Sequence, residues 1–104
     1  MNVTITNNTA NKGGGIYYVN DSSPNLENVT ISGNTATSNG GGICCYYDVI
    51  LNMENVSITD NIASYGGGIY SWRCNLGLVN GTIANNFASF DGGGIYCNWE
   101  TSPS

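Results

Sequence analysis

Apolar β-branched residues alternate with hydroxyl residues in three short segments, Val3-Thr4-Ile5-Thr6, Val29-Thr30-Ile31-Ser32 and Val56-Ser57-Ile58-Thr59. Period two of this kind is the pattern of a strand with one buried face. No 3.6-residue apolar stripe competes with it. The tetrapeptide Gly-Gly-Gly-Ile recurs four times, ending at Ile16, Ile43, Ile69 and Ile95, in steps of 27, 26 and 26 residues. Three adjacent glycines would each cost about 1 kcal/mol inside a helix, so the repeating unit reads as all-β. A second strand is expected around each Gly-Gly-Gly-Ile, and a third, shorter one near Leu26, Met53 and Leu78. Asn, Gly, Ser, Asp and Pro separate them, as turns require.

Two more landmarks keep the same order in every unit. Asn-Val/Gly-Thr/Ser-Ile begins at Asn2, Asn28, Asn55 and Asn80, and Asn-x-Ala begins at Asn8, Asn34, Asn61 and Asn86. Three short strands per unit, with landmarks in register, predict one coil of a parallel β-solenoid. The whole chain is then one domain, 1–104, of four repeats at about 1–26, 27–53, 54–78 and 79–104. Coils stack about 4.8 Å apart, so equivalent residues line up along the axis. Ile5, Ile31, Ile58 and Ile83 form one apolar column. Ile16, Ile43, Ile69 and Ile95 form a second, and Ala10, Ala36, Ala63 and Ala88 a third at a tight corner. Asn8, Asn34, Asn61 and Asn86 are expected to form an asparagine ladder, amide bonding to amide from coil to coil.

The string Ile-x-x-Asn-x-Ala followed by Gly-Gly-Gly-Ile-Tyr, as in Ile5 to Tyr17, resembles repeats of right-handed parallel β-helix proteins of the pectate-lyase-like superfamily. It is most similar to the polymorphic outer-membrane protein repeats, whose signatures are Phe-x-x-Asn and Gly-Gly-Ala-Ile. Here Ile5, Ile31, Ile58 and Ile83 stand where those repeats have Phe, and Gly15, Gly42, Gly68 and Gly94 where they have Ala. The resemblance runs over the whole chain and implies an all-β, right-handed parallel β-helix. It implies less about activity, because this scaffold hosts adhesins, lyases and structural fibres.

Composition narrows the function. Charged residues are 9% of 104, and the formal net charge is −5. Nucleic acid and anionic membrane both call for clustered Lys and Arg, and only Lys12 and Arg73 are present. No partner of the first kind and no membrane insertion is expected, since the apolar runs fall far short of the ~20 residues that span a bilayer. Histidine is absent, which removes Ser-His-Asp hydrolysis, Cys-His nucleophiles and His-ligated zinc. The carboxylates are Asp21, Glu27, Asp48, Glu54, Asp60, Asp91 and Glu100. Asp21 and Asp48 share a register, as do Glu27 and Glu54, and a hard cation would bridge such pairs. The columns are sparse, however, and no Asp-x-Asp loop completes a ligand set. No lyase or hydrolase constellation can be assembled around Lys12 and Arg73. The chain is therefore expected to be no enzyme and to hold no cofactor or metal.

Outward columns are the better candidates. If Ile16, Ile43, Ile69 and Ile95 point inward, Tyr17, Cys44, Tyr70 and Tyr96 point outward. Tyr17, Tyr70 and Tyr96 are read as a surface contact, suited to glycan stacking or to lateral packing, or else as strand formers stacking on themselves. Thr4, Thr30, Ser57 and Thr82 make a broken hydroxyl rank that resembles ice-binding solenoids, a weaker reading. Cys44, Cys45, Cys74 and Cys97 allow three pairings. Cys45 and Cys97 lie two coils apart, about 9.6 Å, too far to bridge, whereas Cys74 reaches a neighbouring coil if its loop folds back. Sequons occur at Asn2, Asn7, Asn20, Asn28, Asn55 and Asn80.

Residues 100–104 match 21–25 in the repeat, and the register of Met1 comes nearly next. Neither end carries a cap, and open strand edges recruit other chains. The expectation is a non-catalytic, extracellular or cell-surface β-solenoid, structural or adhesive. Its partner is a second copy stacked head to tail into a filament, with glycans as a further partner class. The alternatives are an excerpt of a carbohydrate-active β-helix enzyme and a glycan-binding adhesin.

Overall fold

A computed structural model describes residues 3–19 and 23–98. Thirteen strands and no helix are present among the described residues. Coil 1 supplies β1 (Val3–Thr6), β2 (Thr9–Lys12) and β3 (Ile16–Val19). Coil 2 supplies β4 (Asn25–Ser32), β5 (Thr35–Asn39) and β6 (Ile43–Tyr46). Coil 3 supplies β7 (Ile50–Thr59), β8 (Ile62–Tyr65) and β9 (Ile69–Trp72). Coil 4 supplies β10 (Asn75–Val79), β11 (Thr82–Ala84), β12 (Phe87–Asp91) and β13 (Ile95–Asn98). Each strand pairs in parallel with its equivalent one coil away, and this builds three sheets. The first is β1-β4-β7-β10 with β11 also on β7, the second β2-β5-β8-β12 and the third β3-β6-β9-β13. The chain is an all-β parallel solenoid of four turns.

Register follows the repeat residue for residue. Ile5, Ile31, Ile58 and Ile83 pair in succession, and so do Ile16, Ile43, Ile69 and Ile95. Ile31, Ile43, Ile58 and Ile69 are fully buried, while Ile5, Ile16 and Ile83 are partly buried around them. Val29, Cys45, Val49, Leu51, Met53, Val56 and Cys74 join them in the core.

The structure departs from expectation in three places. The expected strand around Gly-Gly-Gly-Ile begins only at the Ile; the glycines form the corner before it. The alanine column, expected at a tight corner of its own, lies on the strands of the second sheet instead. The reason is steric. Gly13, Gly40, Gly66 and Gly92 all have left-handed φ of 64–72°, which costs little for glycine alone. A Cβ on the next glycine, Gly41, would stand 2.4 Å from the Gly67 carbonyl oxygen of the following coil. The short third strand is also no separate element in coils 2 and 3. It runs on into β4 and β7 through a left-handed bend at Asn28 and Asn55, each with φ 55°.

Candidate functional site

The ladder asparagines are placed as expected, and hydrogen bonds join all four. Each follows a residue in the left-handed region, Asn7, Gly33, Asp60 or Asn85, which turns the amide into the coil. The backbone N–H and Nδ2 of Asn34 both donate to Asn61 Oδ1, at 2.9 and 3.1 Å. Asn8 donates in the same way to Asn34, and Asn61 to Asn86. The second Nδ2 hydrogen runs backward: Asn34 donates to the Ile5 carbonyl, Asn61 to Ile31 and Asn86 to Ile58, at 2.9–3.1 Å. Asn34 and Asn61 are fully buried, so these bonds satisfy groups that would otherwise be costly to hide. The ladder is one-directional: its side-chain oxygens face coil 1 and its backbone donors face coil 4.

A second asparagine column lies outside. Asn55 Nδ2 donates to Asn28 Oδ1 at 3.2 Å, and Asn80 shares their left-handed bend with φ 52°. Asparagine tolerates that conformation better than most residues. The sequons at these positions thus coincide with corners that need Asn for backbone reasons. Asn2 and Asn20 lie outside the described residues, as do Asp21, Trp99 and Glu100.

The outward column of the third sheet is aromatic except at Cys44. Tyr46, two residues on, fills the interruption: its ring lies 6.0 Å from Tyr17 and 5.5 Å from Tyr70, the two neighbours of Cys44 in register. Asn39 Nδ2 donates to the Tyr46 hydroxyl at 3.0 Å, and Lys12 Nζ sits 5.3 Å from the ring centroid, a cation–π arrangement. Tyr47 and Trp72 pack against the same ring, and Tyr70 stacks flat on Tyr96 at 5.1 Å. The expected surface contact is accordingly uneven. Tyr17 is 47% exposed, but Tyr70 is 6% exposed, because Tyr46 covers one side and Tyr96 the other. Burial, with the neighbouring Tyr46 adding to it, pushes the Tyr70 phenol well above its ordinary value. The ring faces of Tyr70 and Tyr96 are spent on each other, which leaves Tyr17 and Tyr47 as the open ones.

All four cysteines are free thiols. Cys44 and Cys45 are fully buried; burial pushes the Cys44 thiol up to about 12 and drives Cys45 higher still. Cys74 donates to the Trp72 carbonyl at 3.2 Å. Protonated, enclosed thiols are poor nucleophiles. The buried Ser71 hydroxyl, on the inward register of Cys45 and Cys97, makes no well-formed hydrogen bond but lies within reach of the Cys74 thiol.

One feature escaped the sequence. A cleft of about 510 Å³ opens on the first sheet beside the Asn28 and Asn55 bend. Asn25 and Asn52, then Glu27 and Glu54, line it as register partners, and Val79 takes the glutamate position in coil 4. Shared register of the two glutamates was legible; the bend that makes the surface concave was not. No group of three or more metal-ligating side chains occurs among the described residues.

Three stretches of the chain, residues 2–18, 28–46 and 55–71, match the family model of the Chlamydia polymorphic membrane protein repeat. Together they make up just over half of the chain. Comparison with curated proteins and with solved structures gives no significant match.

Proposed function

Since the chain belongs to the family of Chlamydia polymorphic membrane protein repeats, we propose that it is a non-catalytic, structural or adhesive β-solenoid of a cell surface whose copies stack head to tail. The family's name ties the repeat to membrane proteins, which supports a surface-associated place. No helix among the described residues is long and apolar enough to cross a membrane.

The one-way asparagine ladder carries the stacking reading. Its coil 4 face presents the Asn86 backbone donor, and its coil 1 face presents Asn8 Oδ1, so the two faces are complementary. Apolar surface accompanies them, since Ile95 is 42% and Phe87 60% exposed on coil 4. A second copy would set Ile16 on Ile95 and Ile5 on Ile83 with the interior step of about 4.8 Å, and would remove two open edges. Sedimentation and negative-stain microscopy test this. The expected outcome is concentration-dependent fibres, blocked in Ile83→Asp/Ile95→Lys with coils 1 to 3 still folded. A sharp monomer mass over a wide concentration range overturns it.

The cleft beside Glu27 and Glu54 favours a second reading, a carbohydrate-active or glycan-binding module. Paired carboxylates and amides are the groups that meet sugar hydroxyls. Release of reducing ends from acidic or neutral polysaccharides, lost in Glu54→Gln, would replace the non-catalytic reading with this one.

A further inference from the structure

Tyr70 and Tyr96 stand apart from the other tyrosine pairs. Their rings are parallel within 4°, with centroids 5.1 Å apart, and their backbones are register partners on β9 and β13. Every other described tyrosine pair is tilted or edge-on: Tyr46 lies at 46° to Tyr70, 40° to Tyr47 and 84° to Tyr17, and Tyr65 lies at 67° to Tyr96. Two phenols stacked with parallel rings on register-paired strands keep their Cε carbons, ortho to the hydroxyl, within about one coil step of each other. The ladder on either side holds them there.

We propose that Tyr70 and Tyr96 are an oxidative cross-linking site, at which a dityrosine joins coil 3 to coil 4. The co-reactant class is a one-electron oxidant, such as hydrogen peroxide turned over by a haem peroxidase. Each phenol gives up one electron and its hydroxyl proton. The two radicals, delocalised onto Cε, pair to form one Cε–Cε bond. The hydrogen left on each bonded carbon then moves to its own phenol oxygen, which restores both aromatic rings. Two phenols and one hydrogen peroxide thus give one biphenol and two waters.

Access and placement agree with this. Tyr70 is shielded, but Tyr96 is partly exposed, and Tyr46 and the open Tyr17 continue the ring contacts outward. An oxidising equivalent that arrives at any of them can move ring to ring to the parallel pair. The bond would tie the sparsely buried coil 4 to coil 3 and close a long loop, which restricts the unfolded chain. The site needs one molecule only and does not depend on head-to-tail stacking.

The test is oxidation of the full chain, an equal mixture of heavy-isotope-labelled and unlabelled protein, with hydrogen peroxide and a plant haem peroxidase. The expected results are loss of two hydrogens from the monomer mass, dityrosine fluorescence, and a Tyr70–Tyr96 peptide whose halves carry the same label. The oxidised monomer should melt at a higher temperature. Tyr70→Phe and Tyr96→Phe keep the rings and should each lose the product, whereas Tyr65→Phe should retain it. Absence of dityrosine, its persistence in Tyr70→Phe, coupling chiefly at Tyr46–Tyr47 or Tyr65–Tyr96, or chiefly mixed-label peptides would each overturn the proposal.

Discussion

Coils 3 and 4 read the same landmarks and hold them differently. Coil 3 has a neighbour on each side; its Ile58 and Ile69 are fully buried and its Asn61 is bonded both up and down the axis. In coil 4 the equivalent Ile83 is only partly buried, and Ile95, Val79, Phe87 and Phe90 are exposed. Position explains part of this and sequence the rest. Gly81 replaces Val29 and Val56, and a Cβ there would stand 2.5 Å from Leu78 Cδ1. Leu78 Cδ1 thus crowds the place where the other coils carry a valine Cβ, while the leucine itself stays 40% exposed and leaves the core of coil 4 less filled. The strand breaks at the same place, into β10 and β11, where β4 and β7 are continuous. The family match stops short of these residues. The pair shows that in a solenoid a residue's burial is supplied mostly by the coils beside it, so one landmark carries different weight at different heights.

Asparagine substitution should break the contrast most sharply. Asn61→Ala strands the Asn34 backbone N–H and amide donors, the Ile31 carbonyl and part of Asn86. At about 1–3 kcal/mol for each buried orphan, the loss should be about 4 kcal/mol or more, read by urea unfolding. Asn8→Ala removes one exposed donor and should cost under about 1 kcal/mol. The isoleucine column comes next. Ile43→Ala should cost about 3 kcal/mol and Ile95→Ala about 1 kcal/mol or less, since only the first leaves a closed cavity.

The glycine corner gives a smaller effect with a clearer geometric cause. In Gly41→Ala the new methyl meets Gly67 and Ile62 backbone atoms at 2.4–2.7 Å, whereas in Gly93→Ala the nearest contact is 3.2 Å. Overpacking of this kind costs about 1–3 kcal/mol, and the second variant should melt within a degree or two of the parent. Alkali gives the smallest effect. A thiol raised by burial contributes stability that is complete below the ordinary value of 9.0 and is lost as pH climbs toward about 12. The unfolded chain releases that proton and the folded chain keeps it. At pH 10 Cys44 alone should cost on the order of 1 kcal/mol, and the loss should shrink in Cys44→Ser relative to its own neutral-pH stability. Iodoacetamide should reach the exposed Cys97 of coil 4 first; equal labelling of Cys44 and Cys97 in folded protein would erase the distinction between the coils.

Much of the candidate site was legible because axial neighbours are set by the repeat alone. Spacing of 25–27 residues puts Asn8, Asn34, Asn61 and Asn86 in one file, and an amide file in a parallel stack has only itself to bond. Glu27 and Glu54 were paired on the same ground. The cleft between them and Val79 was hidden, because it depends on the angle at which the chain bends through Asn28 and Asn55. The burial of Tyr70 was hidden too. It is decided by Tyr46, the register partner of Val19 and Trp72, whose ring reaches both Tyr17 and Tyr70 across the small Cys44.

The sequence by itself determined the all-β class, the four coils, the inward isoleucine columns and the asparagine file. These follow from local alternation and a fixed period, which a parallel stack converts directly into register. The tertiary structure alone decided where the corners fall, that the glycines turn while the alanines lie in strand, which tyrosines keep an open face, and that all the thiols stay free. Each of those depends on the close approach of atoms from different coils, and no spacing along the chain records such a distance.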